Sequence, residues 1–210
     1  MVFRKHTMRN AGEWIENKMN TAVQMAYAGV HFSSQELQIL IDSFEQVILQ
    51  KNEYVIRKGE YNEHIIFLEK GLLCYSLINP DNERRILDFI LPESITQLFI
   101  YSENLIPVYD MEALQKSIVW RIKRSTLLNL CKQFYNINIL VNIFLEQVVS
   151  EQMKRILFMM DMTPQERYEA LVKDKKEFIQ MVPLKYVASY IGVTPQALSR
   201  IRKQLSHSVL

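Results

Sequence analysis

The sequence predicts an α+β protein in which an antiparallel β-sandwich or barrel is followed by a long helix and a C-terminal helix-turn-helix. Short β-like runs broken by turn residues fill the stretch from Val47 to about Ile122. An unbroken helical pattern covers about residues 136–160, and small and apolar residues at helix-turn-helix spacing cover residues 184–203. At 210 residues the chain is long enough for two modest domains, each with its own core.

The charge is unevenly distributed, although the 25 basic and 23 acidic side chains nearly balance. From Met162 onward the chain carries eight Lys and Arg against four Asp and Glu, a net charge of +4, whereas the preceding part carries 17 against 19, a net charge of −2. A basic C-terminal module beside a slightly acidic one favours a nucleic-acid binder over a uniformly charged enzyme.

The cysteines and the hydropathy bear on location. Cys74 and Cys131 are too few for a secreted disulfide scaffold, which favours a reducing compartment. Arg4, Lys5 and Arg9 precede no apolar signal-peptide core, and no run of about 18 apolar residues occurs. The sequence therefore predicts a soluble, cytoplasmic protein without a membrane partner.

The N-terminal extension, residues 1–30, has no assigned role. Its apolar residues recur at roughly helical spacing, which fits an amphipathic helix, and a disordered lead is the alternative. These residues are Trp14, Ile15, Met19, Ala22, Val23 and Ala26. Next, Ser33 or Ser34 is expected to cap a short helix with Glu36 in its first turn. Its apolar side comprises Leu37, Leu40, Ile41 and Phe44.

Five strands are predicted in the β-rich block because apolar and β-branched residues form short runs there. The runs are Tyr54 to Arg57, Ile65 to Glu69, Leu72 to Ile78, Ile86 to Ile90 and Ile118 to Ile122. Gly59 and Gly71 mark turns, and Asn79-Pro80-Asp81-Asn82 should form a tight turn because proline restricts φ and Asx side chains bond to their own backbone. This rhythm is typical of an antiparallel sandwich or barrel.

Helices follow the strands. Ser125 is the expected N-cap of a helix that runs through Cys131, and a long helix is predicted from about Asn136 to Met160. The long helix has two apolar stripes, so two partners are expected: the barrel and a second copy of the same helix. A wholly intramolecular core helix is the alternative. The residues assigned to dimerisation are Val141, Phe144, Leu145, Val148, Val149, Met153 and Ile156.

A helix-turn-helix is predicted after a further helix that opens at Thr163-Pro164 and contains Arg167, Tyr168 and Leu171. Ala188 occupies a position where two helices touch, and Gly192, four residues later, suits a turn that requires positive φ. The apolar contacts between the helices are assigned to Val187, Ile191, Val193, Leu198 and Ile201.

The second helix of this motif should begin at Pro195 with Thr194 as its N-cap. Its outward face would carry Gln196, Ser199, Arg200 and Lys203, which can hydrogen-bond to bases or phosphates. No acidic residue follows Glu177. The alternative is a helical hairpin that only closes the fold.

The sequence resembles the Crp/Fnr family of bacterial transcription regulators over about residues 32–205. The matching pieces are the β-rich block with Lys58-Gly59-Glu60, Ile66 to Gly71, the long helix, Glu166-Arg167-Tyr168, and the block from Val182 to Arg202, which is the most specific. The resemblance implies a cyclic-nucleotide-binding-like jelly roll at 31–134, a dimerisation helix at 135–161 and a helix-turn-helix DNA-binding domain at 162–210.

The sensor part departs from members that bind cyclic AMP. Those members hold phosphate and ribose with a Gly-Glu pair followed by an Arg-Ser or Arg-Thr pair, which supply the hydroxyl acceptor and the counter-charge. The corresponding stretch here has neither pair and no basic residue from Glu93 to Gln115. We therefore expect no response to cyclic AMP; a small neutral or apolar effector, or none, is expected instead.

Other sensing chemistry finds little support, so no cofactor is expected. An iron–sulfur cluster takes about four cysteine ligands, twice the number present. His31 and His64 are isolated candidates for a haem ligand. The wing that usually follows the recognition helix is predicted to be reduced or missing, since only Leu205 to Leu210 remain for it.

The resulting hypothesis is a homodimeric, sequence-specific DNA-binding regulator that reads a palindromic operator. Gln196, Ser199 and Arg200 are assigned to bases. Lys185, Thr194, Arg202 and Lys203 are assigned to phosphates. RNA polymerase and a small-molecule effector are further partners that the resemblance allows. The alternative is a ligand-binding or protein-interaction module with a degenerate helix-turn-helix. An enzyme is not expected, because no phosphate-binding glycine loop, metal-ligand spacing or nucleophile motif is found.

Overall fold

The structure is a computed structural model and describes residues 32–92, 106–174, 179 and 181–207. The predicted N-terminal helix lies outside the described residues. So does the stretch 93–105, which contains most of the segment where the cyclic AMP ligands were expected to be missing. These two sequence-based expectations therefore stay predictions.

Helix α1, Ser34–Asp42, begins where the sequence predicts it. Ser33 is the N-cap: the backbone N–H of Glu36 donates to Ser33 Oγ at 3.2 Å, and the backbone N–H of Ser33 donates to Glu36 Oε2 at 2.8 Å. This reciprocal capping box satisfies backbone donors that the first helical turn leaves free.

Seven strands occur in the described part of the chain and form two antiparallel sheets. The three-stranded sheet has the order β1-β7-β3 and the four-stranded sheet the order β2-β6-β4-β5. The strands are β1 Glu45–Leu49, β2 Tyr54–Ile56, β3 His64–Lys70, β4 Leu73–Ile78, β5 Arg84–Ile90, β6 Asp110–Ala113 and β7 Ser117–Lys123. The five predicted strands are confirmed, and β1 and β6 were missed.

The core between the sheets contains alternate residues of several strands, including Ile66, Leu68, Leu73, Met111 and Val119, all nearly fully buried. The predicted turns are confirmed: Gly59 and Gly71 have φ of 81° and 113°. In the β4–β5 turn, the backbone N–H of Glu83 donates to Asn79 Oδ1 at 2.7 Å. The predicted antiparallel sandwich is therefore present.

Strand β7 leads directly into helix α2, Arg124–Gln133, whose N-cap is Lys123. The prediction of Ser125 as N-cap was wrong. The backbone N–H of Arg124 donates to the Glu63 carbonyl at 2.8 Å, so this donor is satisfied by the end of the sheet, and the helix starts one residue before the serine.

Helix α3, Tyr135–Asp161, is the predicted long helix, and its two ends differ in burial. Ile137, Leu140, Val141 and Ile143 are buried against α1, α2 and the three-stranded sheet. Val141 was assigned to dimerisation. It lies in the protomer's own core at 3% exposure, so that assignment is corrected, and Phe144 and Leu145 of the same set are partly buried against this core. Tyr135, the first residue, is exposed, and the other exposed large apolar residues lie further along the helix: Val149, Met153, Ile156, Leu157 and Met160.

The C-terminal part consists of α4 Pro164–Asp174, α5 Leu184–Tyr190 and α6 Pro195–His207. Thr163 caps α4 as predicted, because the Glu166 backbone N–H donates to Thr163 Oγ1 at 3.3 Å and Glu166 Oε2 accepts from the Thr163 backbone N–H at 2.7 Å. Since α6 continues to His207, residues 205–207, which were considered as a remnant of a wing, are helical. None of the helices in the described part is long and apolar enough to cross a membrane.

Candidate nucleic-acid interface

The turn between α5 and α6 closes with a Schellman motif centred on Gly192. The Val193 backbone N–H donates to the Ala188 carbonyl at 2.9 Å, and the Gly192 backbone N–H donates to the Ser189 carbonyl at 3.1 Å. Gly192 has a φ of 77°, a conformation that glycine adopts without steric cost. A Cβ at this position would lie 2.9 Å from Met159 Cε. The glycine predicted from spacing is therefore required by both conformation and space.

The contact between α5 and α6 buries the residues predicted to form it. Val187, Ala188 and Ile191 are fully buried, and Leu198 is 1% exposed. Val193 and Ile201 are partly buried against the same cluster, as is Leu205, which continues the apolar face of α6. Because the Ala188 side chain is only a methyl group, the two helices can approach closely at this position.

Helix α6 starts as predicted and presents its polar face to solvent. Thr194 is the N-cap, with the Ala197 backbone N–H donating to Thr194 Oγ1 at 3.2 Å, and Pro195 is the first helical residue. Gln196, Ser199, Arg200 and Lys203 are all exposed. Their spacing of three and four residues places them along one face. The structure thus brings the predicted base-reading residues together on one surface.

This surface is positively charged. Residues 178–210 contain Lys185, Arg200, Arg202 and Lys203 and no acidic residue. All four side chains are exposed, and within the described residues none of them forms a salt bridge. A set of unpaired cations on one small module attracts a polyanion such as nucleic acid.

A different face of helix α5 contacts the sandwich, and this contact was not predicted from the sequence. The Ile86 backbone N–H of β5 donates to Ser189 Oγ at 2.8 Å, and Arg84 Nη1 donates to Tyr186 Oη at 3.4 Å. Among the described strands β5 is at the edge of its sheet, so its outer backbone donors need a partner. The only sequence signal was the spacing of Tyr186, Ser189 and Tyr190, which places them on one face of a helix.

Two arginines outside the helix-turn-helix hold the end of α5, and both were missed. Arg167 of α4 donates through Nη1 to the Ile191 carbonyl at 2.6 Å and through Nη2 to the Met159 carbonyl at 2.9 Å. Arg155 of α3 donates through Nη2 to the Tyr190 carbonyl at 2.6 Å. Arg167 belongs to the basic excess counted in the sequence, but its guanidinium is used inside the protein.

Comparisons with known proteins agree with this architecture. Residues 46–134 match the family model of the cyclic nucleotide-binding domain. FixK2 from Bradyrhizobium japonicum matches with a TM-score of 0.68 at 17% identity, over 79% of this chain and 85% of that one. The c-di-GMP responsive global regulator CLP from Xanthomonas campestris matches with a TM-score of 0.68 at 11% identity, over 85% of this chain and 94% of CLP.

A protein of Eubacterium rectale ascribed to the crp/fnr family of transcriptional regulators also matches, with a TM-score of 0.68 at 11% identity over 84% of this chain and 85% of that one. This chain has the fold of the Crp/Fnr regulators. The predicted cyclic-nucleotide-binding-like jelly roll and α+β class are therefore confirmed. No curated protein matches the chain in sequence.

Of the two histidines considered as haem ligands, His31 lies outside the described residues and His64 lies in the sandwich of this Crp/Fnr fold. His64 is half-buried at the start of β3, where burial lowers its pKa, with Arg121 adding to the effect. Cys74 and Cys131 are free, buried thiols in two different clusters. Burial raises the pKa of the Cys74 thiol to about 12, so this group stays protonated at neutral pH.

A buried ion pair lies on the outer face of the four-stranded sheet of this Crp/Fnr fold. Arg84 Nη1 lies 2.6 Å from Glu112 Oε1, and the Glu112 side chain is 4% exposed. Burial lowers the pKa of Arg84, but its hydrogen bond to Glu112 and the Glu112 charge raise it more. Since the same guanidinium reaches Tyr186, this pair lies beside the contact between sandwich and helix-turn-helix.

Proposed function

We propose that this protein is a homodimeric, sequence-specific DNA-binding transcriptional regulator. The observation that carries the proposal is the exposed, unpaired polar face of α6 on a complete helix-turn-helix. A second helix of this motif enters the major groove with its N-terminal residues at the base edges, while the first helix crosses the backbone. The positive charge and the exposed donors of the C-terminal module support this mode of docking.

The residues of α6 divide into base readers and phosphate contacts. Arg200 has the planar fork that bonds to O6 and N7 of guanine, and Gln196 can bond to N6 and N7 of adenine. Ser199, between them on the same face, can bond to either kind of base. Lys185, Thr194, Arg202 and Lys203 hold phosphates, which sets register and contributes affinity without sequence information.

Dimerisation is proposed through the exposed stretch of α3. Val149, Met153, Ile156, Leu157 and Met160 are between 50% and 81% exposed in the protomer. Apolar residues repeated at helical spacing on a solvent-facing surface indicate a protein partner. A second copy of the same helix is proposed because it gives two recognition helices related by a two-fold axis, which read palindromic half-sites about 34 Å apart.

The sensor is proposed not to respond to cyclic AMP, on the sequence of the stretch from Glu93 to Gln115. The name of CLP identifies a cyclic dinucleotide as the signal of that protein. A cyclic dinucleotide also carries phosphates, which need basic side chains or backbone donors. The same reasoning therefore favours a neutral or apolar effector here.

The proposal of sequence-specific binding is tested by selecting duplex DNA from a random pool with the purified protein at about 0.15 M salt, near physiological ionic strength. We expect a palindrome to be enriched. Arg200→Ala should lose about 1–3 kcal/mol on that site and relax one base position per half-site, whereas Lys203→Ala should weaken selected and random DNA equally. Equal losses on both DNAs for both variants would contradict base readout and favour the interaction-module alternative.

The dimer is tested by Ile156→Asp, which places a charge in the exposed α3 stretch. Ile156 and Ile78 are similarly exposed, at 50% and 47%, so Ile78→Asp on β4 is a matched control. We expect sedimentation to give a dimer for the wild type and for the control and a monomer for Ile156→Asp, because an unpaired charge in an apolar interface is costly. A dimer in all three proteins would assign the interface elsewhere.

A further inference from the structure

Arg155 occupies the point where the long helix meets the helix-turn-helix. Its guanidinium carbon lies 3.7 Å from the centroid of the Tyr190 ring and 5.3 Å from that of Phe158. Its Nη2 also donates to the Tyr190 carbonyl at 2.6 Å. Arg155 therefore holds both the backbone and the side chain of the last residue of α5.

The carbonyls at the end of α5 suit a cation. The C-terminus of a helix carries partial negative charge, and its last carbonyls have no partner within the helix. Two arginines donate to successive carbonyls: Arg155 to that of Tyr190 and Arg167 to that of Ile191. Arg167 comes from α4, next to the motif in sequence, whereas Arg155 comes from the proposed dimer helix. Arg155 is thus a direct link between that helix and the helix-turn-helix.

Tyr190 connects this link to the sensor. The Tyr190 ring packs at 5.2 Å from Phe89 of β5 and at 6.1 Å from Phe158 of α3. Burial, with a contribution from Asp88 of β5, raises the pKa of Tyr190 to about 12. The sandwich, the long helix and the helix-turn-helix therefore meet around one buried ring, with the Arg155 guanidinium stacked on it.

A buried guanidinium stabilises this junction less well than an apolar side chain of similar volume could. Its Nη1 is buried and has no hydrogen-bond partner among the described residues. Leaving a buried donor unpaired costs free energy, and apolar residues of similar volume often replace buried charges without loss of stability. What an apolar residue cannot reproduce is a planar group that bonds to a carbonyl and stacks on a ring in one orientation.

We infer that Arg155 is a positioning residue that fixes the angle between the helix-turn-helix and α3. Because α3 is the proposed dimer helix, that angle sets the separation of the two recognition helices and hence the spacing of the two DNA half-sites. This inference rests on the proposed function. Arg155 is assigned no contact with DNA. The base sequence of each half-site should therefore be the same for the wild type and for Arg155 variants.

The first test measures the angle without DNA. Spin labels at Gln147→Cys, on α3, and Ser206→Cys, on α6, report how the helix-turn-helix lies relative to α3; both positions are exposed, whereas the native cysteines are buried. An excess of unlabelled protein keeps the measured distances within one protomer. We expect one narrow distance distribution in the wild type and in Lys154→Met, a matched control that removes a neighbouring exposed cation. Arg155→Met should broaden the distribution, and Arg155→Lys should restore part of its sharpness.

The second test is the random-DNA selection with the same variants. We expect the wild type and Lys154→Met to enrich half-sites at one spacing, and Arg155→Met to enrich the same half-sites at several spacings. A merely structural role would lower thermal stability and affinity but leave the spacing unchanged. A narrow distance distribution and a single spacing in Arg155→Met would overturn the inference. If the wild type enriches no DNA, the proposed function fails, while the spin-label distances still decide whether Arg155 positions the module.

Discussion

The two helices of the helix-turn-helix use their polar groups in opposite ways. Helix α5 is bonded on several sides: Ser189 accepts from β5, and the carbonyls of Tyr190 and Ile191 accept from arginines of α3 and α4. Helix α6 keeps Gln196 and Arg200 exposed, and no hydrogen bond involving their side chains is found within the described residues. Helix α5 is anchored by polar bonds to three other elements, whereas α6 packs on the protein through its apolar face.

This difference fits the separate tasks proposed for the two helices. A side chain that reads DNA should exchange only water for its contacts with the bases, so it should have no partner in the free protein. A helix that sets the orientation of the motif should be held by bonds that persist when DNA binds. Helix α5 meets the second requirement and α6 the first. The comparison also explains why two of the arginines near the motif, Arg155 and Arg167, are unavailable to DNA.

The largest effect is expected from removing the apolar contact that holds α6. Leu198→Ala should lower the free energy of unfolding by about 2–5 kcal/mol, because a fully buried leucine leaves a cavity. Ser199→Ala, the next residue and on the outer face, should change it by less than about 0.5 kcal/mol. Urea denaturation followed by circular dichroism measures both. Similar losses for the two variants would mean that α6 does not pack as described.

The joint between the helices is tested by Gly192→Ala. A non-glycine residue at positive φ costs about 1–2 kcal/mol, and the new methyl group would also lie 3.2 Å from Arg167 Nη1 and disturb its bond to Ile191. We expect a loss of about 2–3 kcal/mol in unfolding free energy. Gly59→Ala is the control, because Gly59 also has positive φ but a methyl group added there would meet no atom within 4 Å. A larger loss at Gly59 would contradict the Arg167 contact.

The smallest effect is expected at the start of α4, which carries Arg167. The pKa of Glu166 lies below its usual value of 4.5. The hydrogen bond from the Thr163 backbone N–H is the main cause, and the hydrogen bond from the Thr163 hydroxyl is the second. Because the folded-state pKa is lowered, the stabilisation is present above the unfolded pKa and is lost as pH falls through the folded pKa. The melting temperature of Glu166→Gln should therefore lie slightly below that of the wild type at pH 7.

In acid the two melting temperatures should converge as Glu166 becomes protonated. Comparing the two proteins at each pH cancels the titration of every other carboxyl group. A difference between the two melting temperatures that widens as pH falls would contradict the capping role, since protonation removes the negative charge that the Thr163 donors favour.

The elements that the sequence predicted correctly carry strong local signals. Ser33 with Glu36, Thr163 with Glu166, and Thr194 with Pro195 are helix starts whose chemistry involves residues within one turn. The strand β6, Asp-Met-Glu-Ala, was missed because it is short and three of its four residues, Asp, Glu and Ala, disfavour strands. It exists because β2 and β4 pair with it on both sides. Ser125 was misassigned because the end of the sheet determined where α2 begins.

The helix-turn-helix could be predicted from the sequence, since its spacing, turn glycine, cap and basic face all lie within about twenty residues, the scale at which local propensity and pattern are informative. The contacts of the motif with the rest of the protein became visible only in the three-dimensional structure. Ser189 with Ile86, and Arg155 with Tyr190, are 103 and 35 residues apart. No periodicity or local composition in the sequence marks such contacts, because they depend on how separate elements pack. The same packing decided which end of α3 is buried and which is left exposed.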